Sequence, residues 1–324
     1  MIIVTGGAGF IGSALVWKLN AEGISDILVV DELGTDEKWK NLVKRQFAEY
    51  QEKDPFLAAV EADSLPAKVE AIVHLGACSA TTERNASYLI TNNYQYTQTL
   101  ARWAVGKGVR FIYASSAATY GDGALGFDDH DALIPKLQPL NMYGYSKQLF
   151  DLWAIRNGFD KQTAGVKFFN VYGPNEYHKD FMTSLVHKAY GQIQETGTLK
   201  LFRSEKPEYA DGEQKRDFVY VKDCVDVLHW LLQNPSANGI FNLGSGKARS
   251  WNDLASAIFA AMDRERNIAY VDLPETLRGK YQYFTEATTH KLRALGCPMD
   301  FPNLEDRVAD YVRGYLRREE DPYL

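Results

Sequence analysis

Short apolar runs rich in β-branched residues punctuate the first half of the chain: "IIVT" from Ile2, "ILVV" from Ile27, "AIVH" from Ala71, "FIYA" from Phe111 and "VKFF" from Val166. Amphipathic stretches of helix length lie between them, so the pattern predicts repeated βαβ units and a parallel sheet wrapped by helices. After about residue 170 the rhythm loosens. There "DFVYV" (217–221) and "GIFNLG" (239–244) read as further strands, and 181–197, 222–233, 250–264 and 303–318 have helical spacing. The polar stretch "SEKPEYADGEQK" (204–215) has the composition of a long loop. The expected class is α/β, with the second half supplying both late sheet strands and a small covering lobe.

Composition narrows the function classes without choosing one. At 324 residues, 45% hydrophobic and 24% charged, the chain is long enough for a large core. A net charge of -6 with both signs interspersed gives no electrostatic footprint for nucleic acid. No apolar run reaches membrane-spanning length and the opening "MIIVTGG" lacks signal-peptide character, so a cytoplasmic protein with no membrane partner is expected. Cys78, Cys224 and Cys297 are far apart, without zinc or disulfide spacing, and are expected as packed thiols. No metal site is expected.

The first candidate chemistry sits where the first strand ends. "VTGGAGFIG" (4–12) sets Gly6, Gly9 and Gly12 at a strand-to-helix junction. Glycines there allow a tight turn and close backbone approach, and the helix start offers unpaired N–H groups to a pyrophosphate. Asp31, closing "ILVVD", and Glu32 stand where carboxylates accept from a ribose 2′-hydroxyl, which points to NAD. Lys38, Lys40 and Lys53 are placed to fold over a 2′-phosphate, which points to NADP. Local chemistry leaves the two cofactors open.

A second constellation follows. Ser116 lies in "YASSAATYG" (113–121), and Tyr143 and Lys147 in "NMYGYSK" (141–147) are spaced i, i+4, one helix face apart from Tyr145. A lysine ammonium on that face lowers the tyrosine pKa and binds the nicotinamide ribose, while the serine bonds the reacting oxygen. With the glycine loop ahead of it, this order resembles the extended short-chain dehydrogenase/reductase superfamily. The resemblance implies a Rossmann-type doubly wound parallel sheet with a smaller C-terminal substrate-binding lobe, and Ser116, Tyr143 and Lys147 as the catalytic trio. Residues 1–170 with 217–247 would form the dinucleotide-binding domain, and 171–216 with 248–324 the substrate lobe.

Rarer motifs point to a narrower family. "GACSATTE" (76–83), "FNVYGPNEYHK" (169–179) and "GKYQYFT" (279–285), with "DILVVD", "NNYQY" and "KRDFVYVKD", resemble the ADP-L-glycero-D-manno-heptose 6-epimerases. That resemblance implies inversion at C6 of an ADP-activated heptose for lipopolysaccharide core synthesis, through a 6-keto intermediate, with NADP as cofactor and a closed homo-oligomer, a pentamer. It assigns cofactor contacts to Gly6, Gly9, Phe10, Ile11, Gly12, Asp31, Glu32, Lys38, Lys53, Leu75, Gly76, Ala77, Cys78, Ser79, Asn92, Lys147, Val171 and Lys179. Substrate contacts fall on Ser116, Asn170, Phe181, Lys188, Phe202, Arg203, Ser204, Arg216 and Tyr281, with Arg216 as a pyrophosphate clamp through its fork.

Inverting an exocyclic carbon by oxidation and reduction requires the ketone to turn, which swings its oxygen toward a second wall. One wall carries Tyr143, and the resemblance gives the other to Lys179. A lysine titrates near 10.4, so a base near neutrality requires its ammonium to be destabilised by roughly 4 kcal/mol. Burial beside an oxidised nicotinamide supplies that. His178 is expected to orient the loop, and Cys78 to pack.

Departures from the family pattern are specific. Glu32 stands where asparagine is usual, and repels a 2′-phosphate, so NAD remains the alternative cofactor. Leu75 replaces an expected acid, leaving only backbone for that contact. Phe181 and Lys188 replace other expected types, and 208–213 lengthens a loop. The competing readings are a 4-epimerase or dehydratase of the same superfamily, and, less favoured, a dinucleotide-binding regulator. "SAATYG" lacks the acidic pair a dehydratase uses, and a regulator has no need of the Ser-Tyr-Lys proton path.

Overall fold

In the computed structural model, which describes residues 1–65, 68–275, 281–318 and 320–324, the predicted alternation becomes a parallel sheet with helices on both faces. The chain runs β1 (Ile2–Thr5), α1 (Phe10–Ala21), β2 (Ile27–Asp31), β3 (Glu49–Glu52), α2 (Lys53–Glu61), β4 (Ala71–His74) and α3 (Ala86–Leu89). It continues through α4 (Tyr96–Gly106), β5 (Arg110–Ser116), α5 (Met142–Arg156), β6 (Thr163–Phe168), β7 (Asn170–Tyr172), α6 (Leu185–Thr196) and β8 (Leu199–Phe202). The last third contains β9 (Lys215–Tyr220), α7 (Val221–Gln233), β10 (Gly239–Leu243), β11 (Ala248–Ser250), α8 (Trp251–Ala261), β12 (Ile268–Val271), α9 (His290–Ala294) and α10 (Leu304–Tyr311).

Seven strands form the central sheet in the order β10-β6-β5-β4-β1-β2-β3. Every neighbouring pair is parallel, in the order of a doubly wound Rossmann-type fold. Strands buried on both faces need apolar side chains at consecutive positions, which is why these runs do not alternate. In β1, Ile2 and Val4 join one core with Leu15 of α1 and Leu228 of α7. Ile3 joins the other, with Phe56 of α2, Leu100 of α4 and Phe150 of α5.

A third core lies outside this sheet, where Val186 and Ile193 of α6 meet Leu201 of β8, Ile258 of α8 and Val308 of α10. Around it β9 pairs with β7 and β11, and β12 pairs with β8. The strand expected at 217–221 therefore spans Lys215–Tyr220 and belongs to this small sheet, whereas α7 and β10 return to the large one. Helix boundaries follow their caps: α6 starts after Ser184, whose hydroxyl accepts from His187 N–H, and α8 after the Ser250 and Asp253 capping box. Among the described residues no helix is long and apolar enough to cross a membrane.

Candidate active site

The carboxyl ends of the parallel strands open into one cavity of about 970 Å³, roofed by the small sheet and by the turn that follows β7. Strand ends at the switch between β1 and β4 are where such sheets bind ligands. The glycine loop forms its floor. Gly6 adopts φ 65°, and a Cβ there would stand 2.6 Å from the Gly76 nitrogen. A Cβ on Gly12 would stand 2.0 Å from the Gly6 carbonyl oxygen, so α1 can pack this close only with glycine. The helix begins at Gly9 with no side-chain cap, which leaves its first N–H groups facing the cavity end where Phe10, Ile11 and Gly12 line the wall. This cradle fits the pyrophosphate of a dinucleotide.

Asp31 lines the cavity and has a structural task besides. Its Oδ2 accepts from the Ala8 and Gly9 N–H groups (2.8 and 3.1 Å), bracing the loop from below. Its Oδ1 accepts from Glu32 N–H at 2.7 Å and from Lys38 Nζ at 3.1 Å. Lys53 Nζ is 2.5 Å from Glu32 Oε2 and donates to Asn92 Oδ1 at 3.2 Å. Those five side chains surround a side cavity of about 210 Å³, which Gly76, Ala77 and Cys78 also line. Lys40 instead pairs with Glu37 at the surface.

Leu75, Gly76, Ala77, Cys78 and Ser79 follow β4 and line the main cavity. Asn93, absent from the sequence reading, fixes this segment: its Oδ1 accepts from Cys78 N–H at 2.9 Å, and its Nδ2 donates to the Cys78 carbonyl at 2.9 Å. The doublet in "NNYQY" was the signal, since one asparagine faces the side cavity and the other this loop. Cys78 is half-buried against the cavity.

Ser116 ends β5, and α5 brings Tyr143 to it. Asn141 caps that helix, its Oδ1 accepting from Gly144 N–H at 2.8 Å. Gly144 permits the close approach, because a Cβ there would lie 2.7 Å from the Ala118 carbonyl oxygen. Tyr143 and Ser116 bond through their side chains. One turn on, Lys147 Nζ donates to the Ala114 carbonyl at 2.8 Å. Tyr145 is 45% exposed on another face, and is not among the lining residues.

The electrostatics depart from expectation at the tyrosine. Burial pushes the Tyr143 hydroxyl above its ordinary value, and the Ser116 bond only opposes it; Lys147 is not what sets it in the protein alone. Burial also pulls Lys147 down to about 8, against the charge of Asp151.

On the same cavity, residues 173–184 carry Lys179 on a 3-10 turn, Tyr177–Met182. Its Nζ lies 5.1 Å from the centre of the Phe10 ring, and the side chain lines the cavity with Tyr143 and Ser116. Burial lowers its pKa, Glu176 opposes that and Lys188 adds to it. His178 also lines the cavity, but its Nδ1 is 3.2 Å from Asn41 Nδ2 and burial lowers it to about 4, which suits a neutral loop-orienting group. Asn170, Val171, Lys188, Phe202 and Tyr281 complete the predicted residues on the wall.

Four predicted substrate residues are not brought to it. Phe181 is 65% exposed, with its carbonyl accepting from Lys188 Nζ at 2.6 Å. Arg203 is exposed and paired with Asp272 at 2.9 Å, because β8 ends at Phe202 and the next side chain faces out. Ser204 is turned into its own loop, donating to the Lys206 carbonyl. Arg216 is buried behind the wall, its guanidinium 5.6 Å from the Trp251 ring and 5.3 Å from that of Tyr281, both of which line the cavity. Its fork donates to the Lys215 and Gln282 carbonyls. Trp251, Phe218 and Leu254 on this side went unnoticed in the sequence, since an aromatic at a helix start reads equally well as core. Gly279 and Lys280 of "GKYQYFT" lie outside the described residues.

A family model described as the NAD dependent epimerase/dehydratase family matches residues 2–244. Over 324 residues, and 100% of both chains, the sequence is 62% identical to an ADP-L-glycero-D-manno-heptose-6-epimerase of Nitratidesulfovibrio vulgaris. The chain belongs to that 6-epimerase family. A solved member from Helicobacter pylori matches with TM-score 0.81 at 26% identity, over 97% of this chain and 95% of that one. MoeE5, solved with UDP-glucose and NAD, matches with TM-score 0.75 at 25% identity, over 99% of each.

Proposed function

We propose that this chain inverts C6 of the heptose in ADP-glycero-manno-heptose through a transient 6-ketone, for lipopolysaccharide core precursor synthesis. The observation that carries the reading is that Tyr143, from α5, and Lys179, from the turn after β7, line one cavity together. A nicotinamide dinucleotide held by the glycine loop and Lys147 would supply a reversible hydride acceptor for the exocyclic carbon. The protein's part is to move one proton at each wall. Tyr143, bonded to Ser116, exchanges the hydroxyl proton in one orientation of the substrate, and Lys179 exchanges it in the other. Burial favours the neutral form of both groups, so the tyrosine holds a proton to donate and the lysine holds a free amine to accept one. Lys147, anchored on the Ala114 carbonyl, holds the ribose end.

The cofactor proposed is NADP. Two lysines, Lys38 and Lys53, meet at the side cavity, where their charges suit a 2′-phosphate. Glu32 is the residue that keeps NAD in play, since it holds Lys53. The substrate lobe is proposed as 171–216 with 248–324, around the third core, and 1–170 with 217–247 as the dinucleotide domain; β9 is the segment that joins the two. A cytoplasmic homo-oligomer, a pentamer, belongs to the same proposal and rests on the family.

The test is incubation with ADP-D-glycero-D-manno-heptose in deuterated water, followed by NMR. Inversion at C6 with the original hydrogen retained supports the reading. Inversion with solvent deuterium at C6 replaces it with carbanion chemistry, and no inversion returns it to another sugar-nucleotide reaction.

A further inference from the structure

The loop that carries Lys179 has an unusual path. Gly173 (φ 142°), Asn175 (φ 76°) and Asp180 (φ 45°) all hold positive φ, and two of them are not glycine. Such backbone persists only where surrounding contacts over-determine it. Lys179 stands between the second and third of these bends, so its position depends on what holds the loop.

One carboxylate does most of that holding. Glu176 is 1% exposed. Its Oε1 accepts from Ser184 Oγ at 2.6 Å, from Tyr311 OH at 2.9 Å and from the Gly173 N–H at 3.5 Å. Its Oε2 accepts from the Ser184 N–H at 2.5 Å. The first residue of the loop, its last residue and α10 of the third core therefore converge on one side chain. The Glu176 carbonyl also accepts from the Lys179 N–H at 3.0 Å, so the turn bearing the amine is built on the stapled residue itself. A buried carboxylate needs compensation, and these donors supply it. Among the described residues no lysine or arginine forms an ion pair with it, which fits a group that organises backbone rather than one that stores an ion pair.

We propose that Glu176 is the positioning residue for Lys179: it staples residues 173 and 184 together and to Tyr311, and thereby fixes the lysine amine on the wall opposite Tyr143. The inference rests on the two-wall reading above and adds the residue that makes the second wall rigid. Tyr143 needs no such staple, since it rides on α5, whereas Lys179 sits on irregular backbone. Charge complements geometry here, because Glu176 opposes the lowering of the Lys179 pKa that burial causes and Lys188 of α6 reinforces.

The experiment is a double-mutant cycle on the full chain, measured as epimerisation kcat and KM, with dinucleotide affinity by fluorescence and melting temperature in parallel. Glu176→Ala should lower kcat on the order of a hundredfold, the scale of an ångström-level misplacement, with KM and dinucleotide affinity nearly unchanged. Glu176→Gln keeps an acceptor for Tyr311 and Ser184 and should recover activity to within about tenfold of the parent. In a Lys179→Met background, Glu176→Ala should add less than about threefold. Should Glu176→Ala melt too low to assay, Ser184→Ala removes one arm of the staple, and a several-fold fall in kcat that vanishes in the Lys179→Met background is expected. Multiplicative losses in either cycle, full activity of Glu176→Ala, or equal loss in the Ala and Gln variants would overturn the positioning role. If Lys179→Met itself turns over normally, the two-wall reading fails instead, so the two failures are distinguishable.

Discussion

Lys167 Nζ stands 2.5 Å from Asp151 Oδ2, and neither side chain has any exposure to solvent. Asp151 also accepts from Ser115 Oγ at 2.7 Å and Tyr113 OH at 3.1 Å, while Lys167 donates to Thr119 Oγ1 at 2.7 Å. The pair thus underpins the end of β5 that presents Ser116, one helical turn below Lys147. Removing one partner strands the other charge in a low-dielectric interior. Lys167→Met is expected to lose about 3–5 kcal/mol in urea unfolding. A loss below about 1 kcal/mol would mean that the pair's attraction barely offsets its desolvation.

Lys147 gives the pH dependence. Burial pulls it to about 8, so its ammonium is present below that pH and lost above it. In the unfolded chain it titrates near 10.4. Between those values the unfolded state binds more protons, so the cost of burying the charge applies in full below about pH 8 and is relieved as pH rises toward about 10. For binding the sign is opposite. Dinucleotide affinity, followed by fluorescence, should fall as pH rises through about 8, and the fall should disappear in Lys147→Met. A flat profile in the unmodified protein would remove Lys147 from that contact.

Glu32 is predicted to set the balance between cofactors. It holds Lys53, and Lys53 holds its carboxylate below the usual range. Glu32→Asn frees the lysine for a 2′-phosphate, and should shift affinity toward NADP over NAD by about fivefold, the scale of one half-exposed charge pair. Calorimetric titration with both dinucleotides measures the ratio. An unchanged ratio would place the discrimination elsewhere.

Much of this architecture was legible because parallel strands buried on both faces have little freedom of composition. "IIVT", "ILVV" and "AIVH" can be little else once helical stretches separate them, and a glycine loop after the first of them locates the cofactor end. β3, "EYQE", escaped the reading because an edge strand with solvent beside it carries no apolar run; its residues are exposed or half-buried. β8 and β12 escaped for a related reason, as a two-stranded pair short enough to pass for loop.

In the site, residues fixed by helix or strand geometry were readable, and residues on loops were readable only by type. Tyr143 and Lys147 follow from i, i+4 spacing, and the exposure of Tyr145 follows from the same geometry. Nothing in the spacing of "LFRS" says that Phe202 faces the cavity while Arg203 pairs outward with Asp272. Asp31 shows what spacing leaves out: it lines the cavity where its distance from the glycine loop put it, but its carboxylate also braces the loop's own N–H groups, a contact between two segments that sequence order does not reveal.

The two-wall account meets its most direct test in Lys179→Met, assayed by NMR for inversion at C6 of ADP-D-glycero-D-manno-heptose, with dinucleotide affinity measured on the same sample. The predicted result is turnover reduced on the order of a thousandfold, the scale of a lost general acid or base, and affinity within about threefold of the unmodified protein. Inversion at an undiminished rate in that variant would contradict it.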